Sequence, residues 1–318
     1  MGVREDASMS LALLDRMVAE ASGCPELRSV ERLEITAIVD DTLGPFEGPR
    51  LIPDHQFCAA IRVSRGGIHR TVLFDTGVDS RETLYNIDDL RIGIDDVEAI
   101  VLSHAHADHA RGVSHALESL GMPRPAVVLH PDAYLRGEAV RPGGEPMAVR
   151  RVRREDLEAD GLEVRESYGP TLLVEGTLLV SGEVPGPGTR KGLWAACEGL
   201  RTGRASVPGA RDDQFVVANV REKGLVIVTG CAQRGVIDVI RHARALTGVD
   251  RVHAVLGGFH LAGDAHDSGV SAAVEALREI EPRYLVPARC AGWSVVEEIA
   301  RRLPDAFVPE TPGTTYVF

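Results

Sequence analysis

The chain lacks a disulfide framework. Its five cysteines, Cys24, Cys58, Cys197, Cys231 and Cys290, are scattered, odd in number and nowhere spaced as a CxxC pair. That pattern suits a reducing compartment, and a cysteine so placed is more often a small buried apolar group than a ligand. No run approaches the ~20 apolar residues of a membrane span. The N-terminus also lacks the basic region and continuous apolar stretch of a signal peptide. The expectation is a cytoplasmic protein with no membrane partner. Basic residues are in deficit: 35 Lys and Arg against 47 Asp and Glu give a formal charge of −12, which opposes a broad grip on nucleic acid phosphates. The basic run Arg150, Arg151, Arg153 and Arg154 is followed at once by Glu155 and Asp156, so it reads as a solvated loop or helix face. Also missing are a Ser-His-Asp order, a Gly-x-Ser-x-Gly elbow, a phosphate loop, a dinucleotide fingerprint and a solenoid repeat.

What is present organises the chain. With 318 residues it can bury an ample core without staples. Met9, Leu13, Met17 and Ala21 share one face over residues 8–22, which predicts an N-terminal helix. The division expected is a helical extension over 1–30 and one domain over 31–318. From residue 34 the pattern changes to short β-branched runs at 34–39, 57–63, 70–74, 99–102 and 126–129, each predicting a strand. Residues 131–213 are irregular, with a hairpin signal at 171–181 and Pro/Gly-rich pieces of the kind found in lids and binding loops. Beyond them come strands at 215–220 and 224–229 and a helix at 234–247 with Val236, Ile237, Ile240, Ala243 and Leu246 facing inward, ended by Gly248. Strand 252–256, helix 270–281, strand 284–287 and helix 294–303 follow. Two halves, each with hairpins first and βα units later, predict an α/β (α+β) fold, an αββα four-layer sandwich with sheets face to face and helices outside.

Four metal-capable side chains fall within six residues directly after an apolar strand: His104, His106, Asp108 and His109. Alternate residues at a strand end project to one side, and the following turn swings Asp108 and His109 to an adjacent position. Imidazole and carboxylate suit zinc, and also iron or manganese. The small residues Ala105, Ala107 and Ala110 leave room for close approach. Asp75, in Leu-Phe-Asp-Thr-Gly, ends an earlier strand. His260 closes another at Gly-Gly-Phe-His, where a satisfied structural histidine is the ordinary alternative.

Here the chain resembles the metallo-β-lactamase superfamily, whose His-x-His-x-Asp-His motif is matched at every position from 104 to 109. The resemblance extends through Asp75-Thr-Gly77, Asp212-Asp213-Gln214, Thr229-Gly230-Cys231-Ala-Gln233, Gly257-Gly258-Phe259-His260 and Pro287-Ala-Arg289-Cys290. It points to the branch named after a dihydropterin ribofuranosyl-aminobenzene phosphate synthase of methanopterin synthesis. The resemblance implies that Asp108, His109 and His260 make one metal site. It also implies that His104 and His106 begin a second, with Cys231 or Gln233 near it, and that Asp75 orients a ligand histidine from behind. Gln233 and Arg289 stand where that branch carries histidines. Gln is a weaker ligand and Arg cannot ligate at all, so one tightly held ion or an altered pair is expected. Arg289, as a fixed cation, suits an anionic substrate, although pairing with a carboxylate such as Glu297 or Asp213 serves equally.

The expected function is a metal-dependent hydrolase, or a phosphate-ester or pterin-related transferase, acting on a small anionic molecule through a metal-bound hydroxide that Asp108 orients. The expected cofactor is Zn2+, one or two ions, with Fe or Mn open. An iron-containing oxidoreductase of the same fold and a non-catalytic binding or sensor protein with a degenerate centre are the competing readings.

Overall fold

In the computed structural model the described residues are 26–40, 51–54, 57–77, 80–106, 109, 125–134, 138–140, 146–148, 152–159, 161–185, 211–261, 268–288 and 291–318. The expected helix at 8–22 lies outside them.

Strands β1 (Ser29–Val30), β2 (Arg32–Val39), β3 (Cys58–Arg65) and β4 (Ile68–Phe74) lead into helix α1 (Ser80–Asp89), then β5 (Val97–Val101) and β6 (Ala126–Leu129). The hairpin β7 (Glu138–Val140) and β8 (Pro146–Ala148) precedes α2 (Arg154–Ala159), β9 (Val164–Glu166), β10 (Thr171–Leu173) and β11 (Leu178–Val180). The second half runs β12 (Phe215–Val220), β13 (Gly224–Thr229), α3 (Val236–Thr247), β14 (Val252–Gly257), α4 (Ser268–Ile280), β15 (Tyr284–Pro287), α5 (Trp293–Arg302) and β16 (Thr315–Val317).

Among the described residues these strands form two large sheets. One has the order β10-β11-β12-β13-β14-β15 with β1 beside β12, and the other β16-β2-β3-β4-β5-β6-β9. Alternation along the strands shows why they stack. In β12, Val216 and Ala218 enter the core between the sheets, while Phe215 and Val217 point outward beneath Val239 and Ile240 of α3 and Val295 and Ile299 of α5. In β5, Ala99 and Val101 point inward, and Ile100 packs outward with Ile87 of α1 and Leu157 of α2. Strands buried on both faces read as continuous apolar runs, and each fully buried Val, Leu or Phe contributes about 1.5–3 kcal/mol. The αββα expectation is met.

The expected inward face of α3 holds at Val236, Ile240, Ala243 and Leu246, while Val239 is buried in addition and Ile237 only packs against the margin of that core. Gly248 ends the helix as expected, in the left-handed conformation at φ 66° with its N–H donated to the Arg244 carbonyl. The segment expected to be irregular contains β9, which pairs parallel to β6 (Val127 opposite Val164). Arg153 and Arg154 are exposed, with Arg154 pairing to Glu158 and Glu166. No described helix is long and apolar enough to cross a membrane.

The pairing direction fixes where chemistry can gather. Strands β4, β5 and β6 run parallel in one sheet, and β13, β14 and β15 run parallel in the other. The loops after their C-terminal ends carry Asp75, Ser103 to His106, Gly230 to Gln233 and His260, the usual location of sites in parallel sheets.

Candidate metal centre

Asp75 follows β4 with a left-handed backbone (φ 62°) and a fully buried side chain. A buried carboxylate needs donors on both oxygens, and it has them. The Ser103 N–H donates to Oδ1 at 2.7 Å. The Ser103 hydroxyl and the His109 Nδ1–H both donate to Oδ2, each at 2.7 Å. With its proton committed to Asp75, the Ser103 Oγ accepts from His104 Nδ1 at 2.8 Å. One chain of hydrogen bonds thus places a proton on Nδ1 of both His104 and His109 and leaves their Nε2 lone pairs facing outward in the neutral rings.

Those lone pairs meet a thiol. His109 Nε2 lies 3.2 Å from Cys231 Sγ, and donor atoms of buried His104, His109 and Cys231 all fall within 4.8 Å of one another. His104 Nε2 is also 3.0 Å from His106 Nδ1, and the Gln233 amide nitrogen sits 3.1 Å from that same His106 atom. Two imidazole nitrogens so close cannot both present lone pairs unless a proton or cation lies between them. Two imidazoles and a thiol, oriented from behind, fit a borderline-soft divalent cation such as zinc or iron.

Gly230 explains how the two sheets come this close. A Cβ there would lie 2.0 Å from Ser103 Oγ and 2.9 Å from Asp75 Oδ2, so only glycine admits the approach. Ala232 (φ 52°) and His260 (φ 38°) are held left-handed nearby, a conformation that costs about 1–3 kcal/mol and is common where side chains must be aimed. Burial also acts on protons here: it pushes the Asp213 carboxyl up to about 7, raises the Cys58 thiol and lowers His260, favouring its neutral ring.

Of the residues expected from sequence, His104, His109 and Cys231 come together, His106 and Gln233 adjoin them, and Asp75 stands behind His109. His104 and His109, which the resemblance assigns to different ions, contribute to one group of donors. His260 is not a member of that group. Asp108 and Arg289 lie outside the described residues. Ser103 and Gly230 had no role in the sequence reading. Their adjacency to His104 and Cys231 was the available signal.

Residues 52–203 match the profile described as Metallo-beta-lactamase superfamily. The matched stretch is a little under half of the chain, and the likeness it carries is to that superfamily. The chain is 27% identical to the 7,8-dihydropterin-6-methyl-4-(beta-D-ribofuranosyl)-aminobenzene-5'-phosphate synthase of Methanocaldococcus jannaschii, over 87% of this chain and 94% of the relative. It is also 27% identical to an uncharacterized protein, MJ0448, of the same organism, over 84% of this chain and 94% of the relative. Among solved structures it is similar to Tm1679, described as a metal-dependent hydrolase of the beta-lactamase superfamily, with a TM-score of 0.64, 23% identity and coverage of 89% of this chain and 98% of that one. A diphosphatase from the PhnP family aligns with a TM-score of 0.51 at 16% identity, over 91% and 98% of the two chains. These structural likenesses concern the fold.

Proposed function

We propose that this protein is a metal-dependent hydrolase, or a phosphate-ester or pterin-related transferase, acting on a small anionic molecule. The observation that carries the proposal is the convergence of His104, His109 and Cys231 within 4.8 Å, with both imidazoles oriented through Ser103 and Asp75. These three residues, with His106 beside them, would hold the cation, and Asp108 and His260 complete the proposed ligand set on sequence grounds. When bound, the cation supplies Lewis acidity to the bond under attack and acidifies water near neutral pH. The Asp75–Ser103 chain keeps the Nδ1 protons in place, so neither ring has to change tautomer when its Nε2 binds. Asp108 orients the attacking water, and Arg289 holds the anionic group of the substrate. The synthase relative supports the transferase form of the reading, since the product it is named for is a phosphate ester.

The test is metal content by mass spectrometry, paired with turnover of bis(p-nitrophenyl) phosphate, p-nitrophenyl phosphate and a simple lactone. Wild-type protein should carry zinc and turn over at least one of them, and His109→Ala should lose metal and turnover together. A His109→Ala protein that keeps both would overturn the assignment. Two imidazoles and a thiolate suit iron as well as zinc, which makes an iron-containing oxidoreductase the second reading. Iron in the purified protein, with a thiolate charge-transfer band in its absorption spectrum, would select it over the hydrolase.

A further inference from the structure

The turn bearing His104 and His106 and the turn bearing Cys231 and Gln233 belong to different sheets. Neither lies inside a strand whose ladder would hold it. We infer that Asp212, Asp213 and Gln214 are positioning residues that tie these two turns together and set the spacing of the metal-binding donors. The inference rests on the metal-centre reading above.

The tripeptide precedes β12 and is buried throughout: Asp212 is 7% exposed, Asp213 2% and Gln214 3%. Gln214 grips the end of β5 twice, its backbone N–H donating to the Ser103 carbonyl at 2.9 Å and its side-chain amide to the Leu102 carbonyl at 2.7 Å. Asp212 Oδ2 accepts the N–H of Ala105, the residue between the two histidines, at 2.9 Å. Asp213 Oδ2 accepts the N–H of Arg234, next to Gln233, at 3.0 Å. Adjacent residues are about 3.8 Å apart at Cα. One peptide unit therefore separates the carboxylate that holds the first turn from the carboxylate that holds the second.

Stability alone does not account for this choice. Burying two carboxylates is costly even when they are hydrogen-bonded, and a hydrophobic plug could close the same gap between sheets at less expense. What carboxylates add is direction: each fixes one backbone N–H, and so the heading of the ligand side chains on either side of it. Supporting groups behind metal ligands typically change affinity by 10- to 100-fold when removed.

The experiment uses the full chain with Zn2+ in competition with a chromophoric chelator, and with Co2+ as a spectroscopic probe whose thiolate and d–d bands report the donor arrangement. Asp212→Ala should weaken Zn2+ about 10- to 100-fold and alter the Co2+ bands. Asp212→Asn, whose amide oxygen still accepts from Ala105, should stay within about threefold of wild type. Ile240→Val, a core change beneath α3, should lower stability by about 1 kcal/mol with metal affinity and spectrum unchanged. If Asp212→Ala does not fold, Gln214→Met, which removes the bond to Leu102, takes its place with the same expectation. An Asp212→Ala protein with wild-type affinity and spectrum overturns the tie, as does an Asp212→Asn protein as damaged as Asp212→Ala. A wild-type protein that takes up neither ion overturns the metal-centre reading, and the tie with it.

Discussion

The two edges of the sandwich use the same backbone device to different ends. On the edge away from the candidate metal centre, Arg91, Glu222 and Glu281 adopt left-handed φ angles of 53°, 65° and 55°, and all three are exposed charged residues outside the helices and strands. Their side chains are open to solvent, and the unusual φ does no more than redirect the chain. An open cavity of about 590 Å³ on this edge is lined by Arg244, Arg251 and Arg283 together with Asp250, Glu281 and Asp305, opposite charges in equal number. On the metal edge, Asp75 and Ala232 take the same conformation while fully buried. There every polar group must be met by another protein group, so the strained backbone aims side chains at each other. At Asp75 the left-handed φ serves a buried carboxylate that is hydrogen-bonded to the residues around the donors. At Arg91, Glu222 and Glu281 it serves no buried side chain.

The largest effect expected from this contrast comes from breaking the close approach at Gly230. A methyl group there would sit 2.0 Å from Ser103 Oγ and 2.5 Å from Ser103 Cβ, and Ser103 cannot retreat because its N–H and hydroxyl are both bound to Asp75. Gly230→Ala should cost about 3 kcal/mol or more in chemical denaturation and should also lose metal, since Ser103 orients His104. Adding Ser103→Gly removes the two shortest contacts and leaves Asp75 Oδ2 at 2.9 Å, so the double variant should recover part of the lost stability while metal binding stays impaired. If stability and metal binding return together, Ser103 is a spacer and the orienting chain argued above is wrong.

A pH titration separates burial as such from the metal edge. His242, on α3, packs edge-on against Phe215, and burial lowers its pKa from 6.5 to about 4. The folded ring stays neutral where the unfolded chain takes up a proton. Its contribution is therefore complete above about pH 6.5 and is lost as pH falls from there towards 4. The loss should be about 2 to 3 kcal/mol in metal-free protein, and His242→Gln should flatten that part of the profile. An unchanged slope in His242→Gln would assign the acid sensitivity to other groups.

How much of this could be read from residues follows from the same physics. Strands buried on both faces announced themselves as apolar runs, and the predicted spans at 215–220, 224–229 and 284–287 coincide with β12, β13 and β15. Helix α1 was missed because its buried face is largely polar: Thr83 and Asn86 lie inside beside Ile87. The Asn86 amide donates to the carbonyls of Ile38 and Ile52, a role that gives no apolar period. Strand β16 has three residues and depends on pairing with β2, more than 270 positions away (Thr315 opposite Thr36), which no local pattern reveals. At the site, the histidine cluster was legible because its residue types are chemically rare together. The joining of Ser103, Gly230 and the 212–214 segment was not, because it depends on two sheets meeting at one edge.

The smallest effect tests the other side of the comparison. Gly248 ends α3 on the edge away from the metal, at φ 66°, and a Cβ there would have nothing within 4 Å. Gly248→Ala therefore meets no steric barrier and pays only for holding an L-residue left-handed, about 1 kcal/mol. Metal content and Zn2+ affinity should be unchanged. Because the substitution at Gly230 is the same single methyl group, the difference between the two variants isolates what close approach contributes beyond conformational preference. Were Gly248→Ala to weaken zinc as Gly230→Ala does, the two edges would be mechanically coupled through α3 and β14. The metal centre would then owe its geometry to the sandwich as a whole, with no special part for the contacts at its own edge.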